Sequence, residues 1–481
     1  MRSRTALLVL TLLAWVAACA TNPATGEKQI SLMSEAQEIQ LGQQADQQVR
    51  QEMGLYNDPA LQEYIRTVGL KLARVSERPD LPWHFAVVDV PAVNAFALPG
   101  GYIYITRGIL PFLDSEAQLA GVLGHEVGHV TARHAAQQYT SQTGAGLGLA
   151  LLSIFVPQTR PSEPLAEQAA GLLFLKYGRD DELQADQLGV RYASRGGWNP
   201  EGVQEMLTTL QRLDAASGSS KGVPNWLSTH PAAEDRVQKI DAAVRQASAG
   251  AGTLVVNRPE YLQHIDGVIY GDEPSEGIVR GNTFLHRDLR LAITFPQGWE
   301  IQNSKQQVLA KAPEQERYML LELVQQPRGS VQQIAQSSMA NAGWRQLAGQ
   351  PLSVNGLSGY VGTYQGSMQG LGVVETLAAH IAYNNQVYVL AGLAPANDFR
   401  GAESAFEGTI RSFRPLTAAE AENIRPSRVD VYTVREGDTW ASLARRAPDP
   451  AIKPSTIAIM NDHDPSQAPR PGDRVKIIVE G

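Results

Sequence analysis

The run His125-Glu126-Val127-Gly128-His129 sets two imidazoles four residues apart, with a carboxylate directly after the first. On an α-helix, positions i and i+4 share one face, so both rings can reach a single metal ion. Glu126 then stands where it can hold a metal-bound water and accept its proton. Leu119, Val122, Leu123, Val127 and Val130 supply the apolar positions that seat such a helix in a core. A catalytic zinc needs a third protein ligand and an open fourth position. The candidate is Glu182, in Glu182-Leu183-Gln184-Ala185-Asp186 on a later helix. Asp186, one turn further on, can accept a hydrogen bond from the far nitrogen of a metal-bound histidine and fix its tautomer.

The elements that must hold these residues are mainly helical. Ser34–Gln51 reads as a helix capped by Ser34 with Gln37 at its third position, and Ala60–Val75 as a second with a clear apolar stripe. His84–Val90 and Gly101–Thr106 read as strands. Gln118–Tyr139, Glu182–Arg195, Gly202–Leu213 and Ala232–Ala247 read as further helices. On this reading His134 lies on the first metal helix, off the metal face, and is structural. His84, His264, His286, His380 and His463 are isolated and carry no expected role. Residues 144–156 are apolar and lie between the metal helices. At that length they suit a flap over the cleft or a plain hairpin, not a membrane span.

Beyond this half the character changes. Residues 251–281 show no periodicity and read as a connector. Residues 282–414 read as an α+β domain, with strands at Leu291–Phe295, Tyr318–Val324, Gly359–Thr363 and Gln386–Leu393 and helices at Val331–Met339 and Asp398–Ser412. No chemistry-bearing cluster stands out there. Residues 415–429 read as a linker and 430–481 as a last small unit. The chain is 43% hydrophobic and 19% charged, enough apolar material for packed cores. Its formal net charge is −8 and no basic run occurs, which excludes nucleic acid as an expected partner. One cysteine, Cys19, allows no internal disulfide and no Cys-rich zinc site.

Residues 1–18 begin with Arg2 and Arg4, continue through the apolar stretch Ala6–Val16 and end in Val16-Ala17-Ala18 before Cys19. This resembles the lipobox of a bacterial lipoprotein signal peptide. The resemblance implies cleavage before Cys19, lipidation of its thiol and anchoring in a membrane. Ala20, in place of Asp, directs the expectation to the periplasmic side of the outer membrane.

HExxH followed by ExxAD resembles the gluzincin peptidases related to the HtpX and CAAX prenyl proteases, and among them the periplasmic lipoprotein (BepA/LoiP-like) branch. Asn22–Gly26, Leu32–Gln37, Asn94–Gly101, His125–His134, Glu182–Asp186 and Ser228-Thr229-His230-Pro231 with Arg236 carry the likeness, over about residues 20–245. It implies zinc held by His125, His129 and Glu182, with Glu126 as general base. It also implies an edge strand over Asn94, Ala95, Phe96, Ala97 and Leu98 that pairs with an extended substrate through main-chain hydrogen bonds. His230 has two implied roles: a fourth ligand that switches the centre off, or a stabiliser of the oxyanion. A His-Pro helix start without metal contact is the third reading.

Residues Tyr432–Trp440 and Pro471–Ile477 resemble the two halves of a LysM module, a βααβ unit that binds N-acetylglucosamine-containing glycans. The expected fold class is thus α+β multidomain: a mainly helical zincin-type domain with a small sheet over 19–250, a separate α+β domain and a LysM module. The expected function is a zinc endopeptidase acting on unfolded or misassembled envelope polypeptides, anchored by lipid and gripping peptidoglycan. The alternative is an auto-inhibited chaperone or assembly scaffold for outer-membrane proteins that retains structural zinc. Peptidoglycan hydrolysis is disfavoured by the ExxAD ligand and the edge-strand segment.

Overall fold

The structure is a computed structural model; it describes residues 19–30, 33–138, 177–217, 226–230, 236–249, 252–304, 307–325, 327–368 and 370–481. The expected signal segment 1–18 and the apolar stretch 144–156 lie outside the described residues. The chain divides into two compact units. One is built from Met1–Tyr270, Arg428–Pro448 and Ile452–Val479, the other from Gly271–Ser427 with two short C-terminal pieces.

In the first unit, β1 (Cys19–Thr21) and β2 (Lys28–Ile30) form an antiparallel hairpin. Ser34 and Gln37 close a capping box and start α1, Glu35–Glu52. Asp58 caps α2, Pro59–Arg74, and its apolar stripe, including Leu61, Ile65, Val68 and Leu72, is buried. Three strands follow: β3 (His84–Val88), β4 (Ala95–Leu98) and β5 (Tyr102–Thr106). Their order is β3-β5-β4, with β5 parallel to β3 and antiparallel to β4, so β4 is a sheet edge.

The metal helix α3 runs Glu116–Thr131, capped by Ser115, and is buried along its whole length. It ends eight residues before the sequence suggested. Arg133 takes a left-handed backbone (φ 63°), which breaks the helix and turns the chain before residues 134–138 resume helical geometry. Helices α4 (Arg179–Arg195), α5 (Glu201–Ser217), α6 (Trp226–Thr229), α7 (Arg236–Ala249) and α8 (Arg258–Ile265) complete the shell.

α3 and α4 meet almost backbone to backbone. A Cβ at Gly124 would stand 3.3 Å from Gly189 Cα, and one at Gly128 would stand 3.0 Å from the Ala185 carbonyl oxygen. A side chain at either position would press the helices apart by a few tenths of an ångström, so the glycines favour the close approach that brings Glu182 and Asp186 to the imidazoles.

Residues 251–281, expected as a connector, carry α8 and the two-residue strand Ile269–Tyr270. That strand extends the C-terminal module into a three-stranded sheet, in the order Arg474–Glu480, Ser427–Thr433, Ile269–Tyr270. The module itself is βααβ, with helices Trp440–Ala444 and Pro454–Met460. It shares one apolar cluster with Phe112, and Leu213 packs against the same cluster. Lys476 is fully buried there, donates to the Leu113 carbonyl and pairs with Asp114 at 3.2 Å.

The second unit centres on a seven-stranded antiparallel sheet. Helix Val331–Asn341 packs through Met339 near Tyr364 and Ala378. Helix Phe399–Ser412 packs with Leu377, Ala379 and Ile381, the alternate residues of the same strand. Both faces of that strand, Gly372–Tyr383, are thus covered, and it carries a continuous buried run that period-2 reading does not detect. In the same sheet, Asn355-Gly356 turns the hairpin between Arg345–Val354 and Leu357–Met368, and Asn384-Asn385 the one between Gly372–Tyr383 and Gln386–Pro395, all four with positive φ.

Two outcomes are expected. Gly128→Val will cost about 1–3 kcal/mol by overpacking the α3–α4 groove, read as a lower denaturation midpoint, together with weaker zinc uptake. An unchanged midpoint would contradict the close-packing account. Burial beside Asp114 pushes the Lys476 ammonium down to about 8, from an ordinary value of 10.5. The folded state therefore binds fewer protons than the unfolded state between those values, and stability rises with pH in that window. Unfolding titrations of wild type and Lys476→Met from pH 7 to 10.5 will show the wild type gaining on the variant, by roughly 1.4 kcal/mol per unit of depression.

Candidate metal centre

His125 and His129 project from one face of α3, as their spacing requires. Their Nε2 atoms lie 3.0 Å apart. Glu182, in the first turn of α4, brings Oε2 to 3.6 Å from His125 Nε2 and Oε1 to 3.5 Å from His129 Nε2. His230, at the end of α6, brings Nδ1 to 3.0 Å from Glu182 Oε1 and 3.3 Å from His125 Nε2. These four residues offer ligand atoms that all lie within 4.8 Å of one another, and all four are buried.

Around them a second layer fixes the rings. Asp186 Oδ1 lies 3.0 Å from His125 Nδ1, and Arg236 donates to both Asp186 oxygens at 2.7 Å. That arrangement holds the His125 proton on Nδ1 and leaves the Nε2 lone pair facing the centre. Arg236 Nη1 also lies 3.0 Å from Glu182 Oε2. Trp226 stacks on His230 at 4.1 Å between ring centroids, and Tyr177 stacks on His129 at 3.9 Å. The Trp226 backbone N–H donates to the Val93 carbonyl, which ties α6 to the approach of β4.

The donor set fits a divalent cation. Two imidazole lone pairs converge with a carboxylate inside a dry site, an arrangement that repels without positive charge between them. Bonds of about 2.0–2.1 Å in a tetrahedral zinc site put ligand atoms about 3.4 Å apart, and the observed separations run from 3.0 to 3.6 Å. Both oxygens of Glu126 are buried and have no hydrogen-bond partner among the described residues. Zinc would be held by His125, His129, Glu182 and His230, with Glu126 aimed into the same space.

Electrostatics follow from burial and the neighbours. Burial, opposed by His230 and His125, raises the Glu126 carboxyl. Burial also pushes His129 well below its ordinary range, and the adjoining imidazoles add to this. Glu182 stays below the ordinary carboxylate range: His230, His125 and Arg236 outweigh the large burial effect. Asp186 does likewise, through Arg236 and His125. Three buried carboxylates against one guanidinium leave a net attraction for a cation.

The structure gathers His125, Glu126, His129, Glu182, Asp186 and His230 at one point. Asn94–Leu98 arrives beside them: β4 is the sheet edge, and the Ala95 carbonyl lies 3.4 Å from His230 Nε2. Ala95, Phe96 and Ala97 are buried and Asn94 is half-buried. A small cavity of about 10 Å³ beside β4 is lined by Ala97, Leu98, His129, Arg133 and Tyr177. Cys19 begins β1. His134 is placed differently from its expectation: it leaves the metal helix at the Arg133 turn and bonds His129, Nδ1 to Nδ1, at 2.9 Å. The sequence could not disclose this, because the contact depends on one left-handed residue. Tyr177 and Trp226 were also missed; only their closeness in sequence to Glu182 and His230 marks them.

Residues 59–244 match Peptidase family M48, and residues 432–477 match the LysM domain. The beta-barrel assembly-enhancing protease of Escherichia coli (strain K12) is 34% identical over 227 residues, covering 45% of this chain and 46% of that one. The protein of the same name from Yersinia pestis is 33% identical over 225 residues, covering 45% of each. The mitochondrial metalloendopeptidase OMA1 of Schizosaccharomyces pombe is 33% identical over 187 residues, covering 38% of this chain and 53% of that one. The chain spans about half the length of the curated relatives it matches. It carries an M48 metallopeptidase domain and a C-terminal LysM domain.

Asp186→Asn removes the charge that orients His125 and pairs with Arg236. Zinc affinity, read by competition with a chromogenic chelator, will fall about 10–100-fold. An affinity within twofold of wild type would contradict the orienting role.

Proposed function

We propose that this chain is a zinc endopeptidase of the bacterial cell envelope that cuts extended stretches of unfolded or misassembled envelope proteins. The observation that carries the reading is the convergence of His125, His129 and Glu182 next to the buried Glu126, alongside the edge strand β4. Zinc, when bound, supplies Lewis acidity to the scissile carbonyl and acidity to a water. Glu126 takes the proton from the attacking water and returns it to the leaving amine; its raised carboxyl suits both transfers. The free edge of β4 pairs with the main chain of an extended substrate and aligns its peptide bond beside the centre. Recognition through backbone favours unfolded over folded substrates.

His230 is the switch in this proposal. Its Nδ1 stands among the ligand atoms, where it takes the position a water needs. Stacking on Trp226 and the contact with Glu182 hold it there. Cleavage then requires the ring to swing out. The same closed arrangement favours one second reading, an auto-inhibited scaffold or chaperone for outer-membrane proteins that keeps zinc for structure.

The relatives' names, which speak of β-barrel assembly, support envelope proteins as the substrate class. The LysM domain supports peptidoglycan as a second partner. A lipid on Cys19 would anchor the chain to the outer membrane. The test is cleavage of casein by the full chain beside its variants. Glu126→Gln will abolish cleavage and keep zinc, and His230→Ala will raise the rate about 10-fold or more, as removal of a blocking ligand should. Cleavage surviving Glu126→Gln would overturn the proposal, and no cleavage by wild type or His230→Ala would leave the scaffold.

A further inference from the structure

The two metal-helix histidines are oriented by different partners. His125 has a carboxylate, Asp186. His129 has a chain of neutral groups that leads out of the site. His129 Nδ1 meets His134 Nδ1 at 2.9 Å, His134 Nε2 meets Gln184 Oε1 at 2.9 Å, and Asn22 Nδ2 meets the same Gln184 oxygen at 3.2 Å.

Donor and acceptor chemistry fixes the direction of every link. A metal on His129 Nε2 leaves the proton on Nδ1, so that N–H donates to the bare Nδ1 of His134. His134 then carries its own proton on Nε2 and donates to the Gln184 carbonyl oxygen. That oxygen has a second lone pair, which accepts from the Asn22 amide. Asn22 is itself set by the hairpin: its Oδ1 accepts from the Ala24 N–H at 2.9 Å, which turns its Nδ2 toward Gln184. Its backbone is closed onto Glu27 and Gly26. Asn22 is 5% exposed and His134 2%, so water competes little for these links. Asp181 lies 3.7 Å from His134 Nε2, too far for a hydrogen bond to displace Gln184.

We infer that His134, Gln184 and Asn22 are positioning residues for His129, so that the N-terminal hairpin beginning at Cys19 completes the metal centre. The inference rests on the zinc reading of the site. Its physical content is that a polarised chain of three hydrogen bonds holds the His129 ring and tautomer, and that the last link comes from a segment far away in sequence. The N-terminal hairpin therefore stabilises bound metal without touching it.

The test is the rate at which the zinc-loaded full chain yields its metal to a chelator. Asn22→Asp keeps the oxygen that caps Ala24 but replaces the donor with an acceptor facing Gln184. It will speed zinc release about 10-fold, and His134→Ala will do so by about 10–100-fold, the range of lost metal-orienting partners. Asn22→Asp added to His134→Ala will bring no further change, because the chain is already cut. Asn22→Asp will lower the melting temperature of the zinc-loaded chain more than that of the metal-free chain, a difference that a merely structural role would not produce. An unchanged release rate in Asn22→Asp, or the same acceleration with and without His134, would overturn the inference. A wild-type chain that takes up no zinc would overturn the zinc reading as well.

Discussion

Imidazole nitrogens and carboxylate oxygens converge in a buried pocket, and much of the first unit serves to hold them there. His125 Nε2 and His129 Nε2 face each other at 3.0 Å with Glu182 across from both. Such a cluster is unfavourable without a cation and strongly favourable with one. A metal bound there would therefore add its binding energy to the stability of the fold. The glycine-lined groove between α3 and α4 is the mechanical side of this constraint, because each added carbon there would move the carboxylates away from the rings.

The proposed closure by His230 draws on the same economy of charge. With Glu126 and Glu182 both nearby, burial alone would depress the imidazole, yet the two carboxylates raise it. The ring stands among anions and against Trp226, contacts that would hold the centre closed in the proposed switch. An extended chain added to the edge of β4 would run past the Ala95 carbonyl that His230 Nε2 approaches. Substrate and switch thus meet at one backbone position, which gives a physical route by which binding can displace the ring.

Much of the site was legible in the sequence because helical spacing is a strict rule. HExxH puts two rings on one face, and ExxAD puts a ligand and its support one turn apart. The mixed α+β architecture was legible from turn residues and strand signals, and the βααβ module from its resemblance to LysM. What escaped depended on tertiary placement. The Arg133 turn, which swings His134 back onto His129, rests on one residue's φ. The two-residue strand Ile269–Tyr270 has no period to read. Strand Gly372–Tyr383 is covered on both faces and loses the alternation by which strands are recognised. In the second unit Asn355-Gly356 was a hairpin signal open to reading.

The central claim is that three imidazoles and one carboxylate surround a single metal in the resting chain. X-ray absorption at the zinc edge of the full-length, zinc-loaded protein reports that shell directly. The account predicts one zinc per chain with three nitrogen ligands from imidazole and one oxygen near 2.0–2.1 Å. A shell with two imidazoles and additional oxygens would contradict closure by His230, and failure to hold one equivalent of zinc would contradict the metal centre itself.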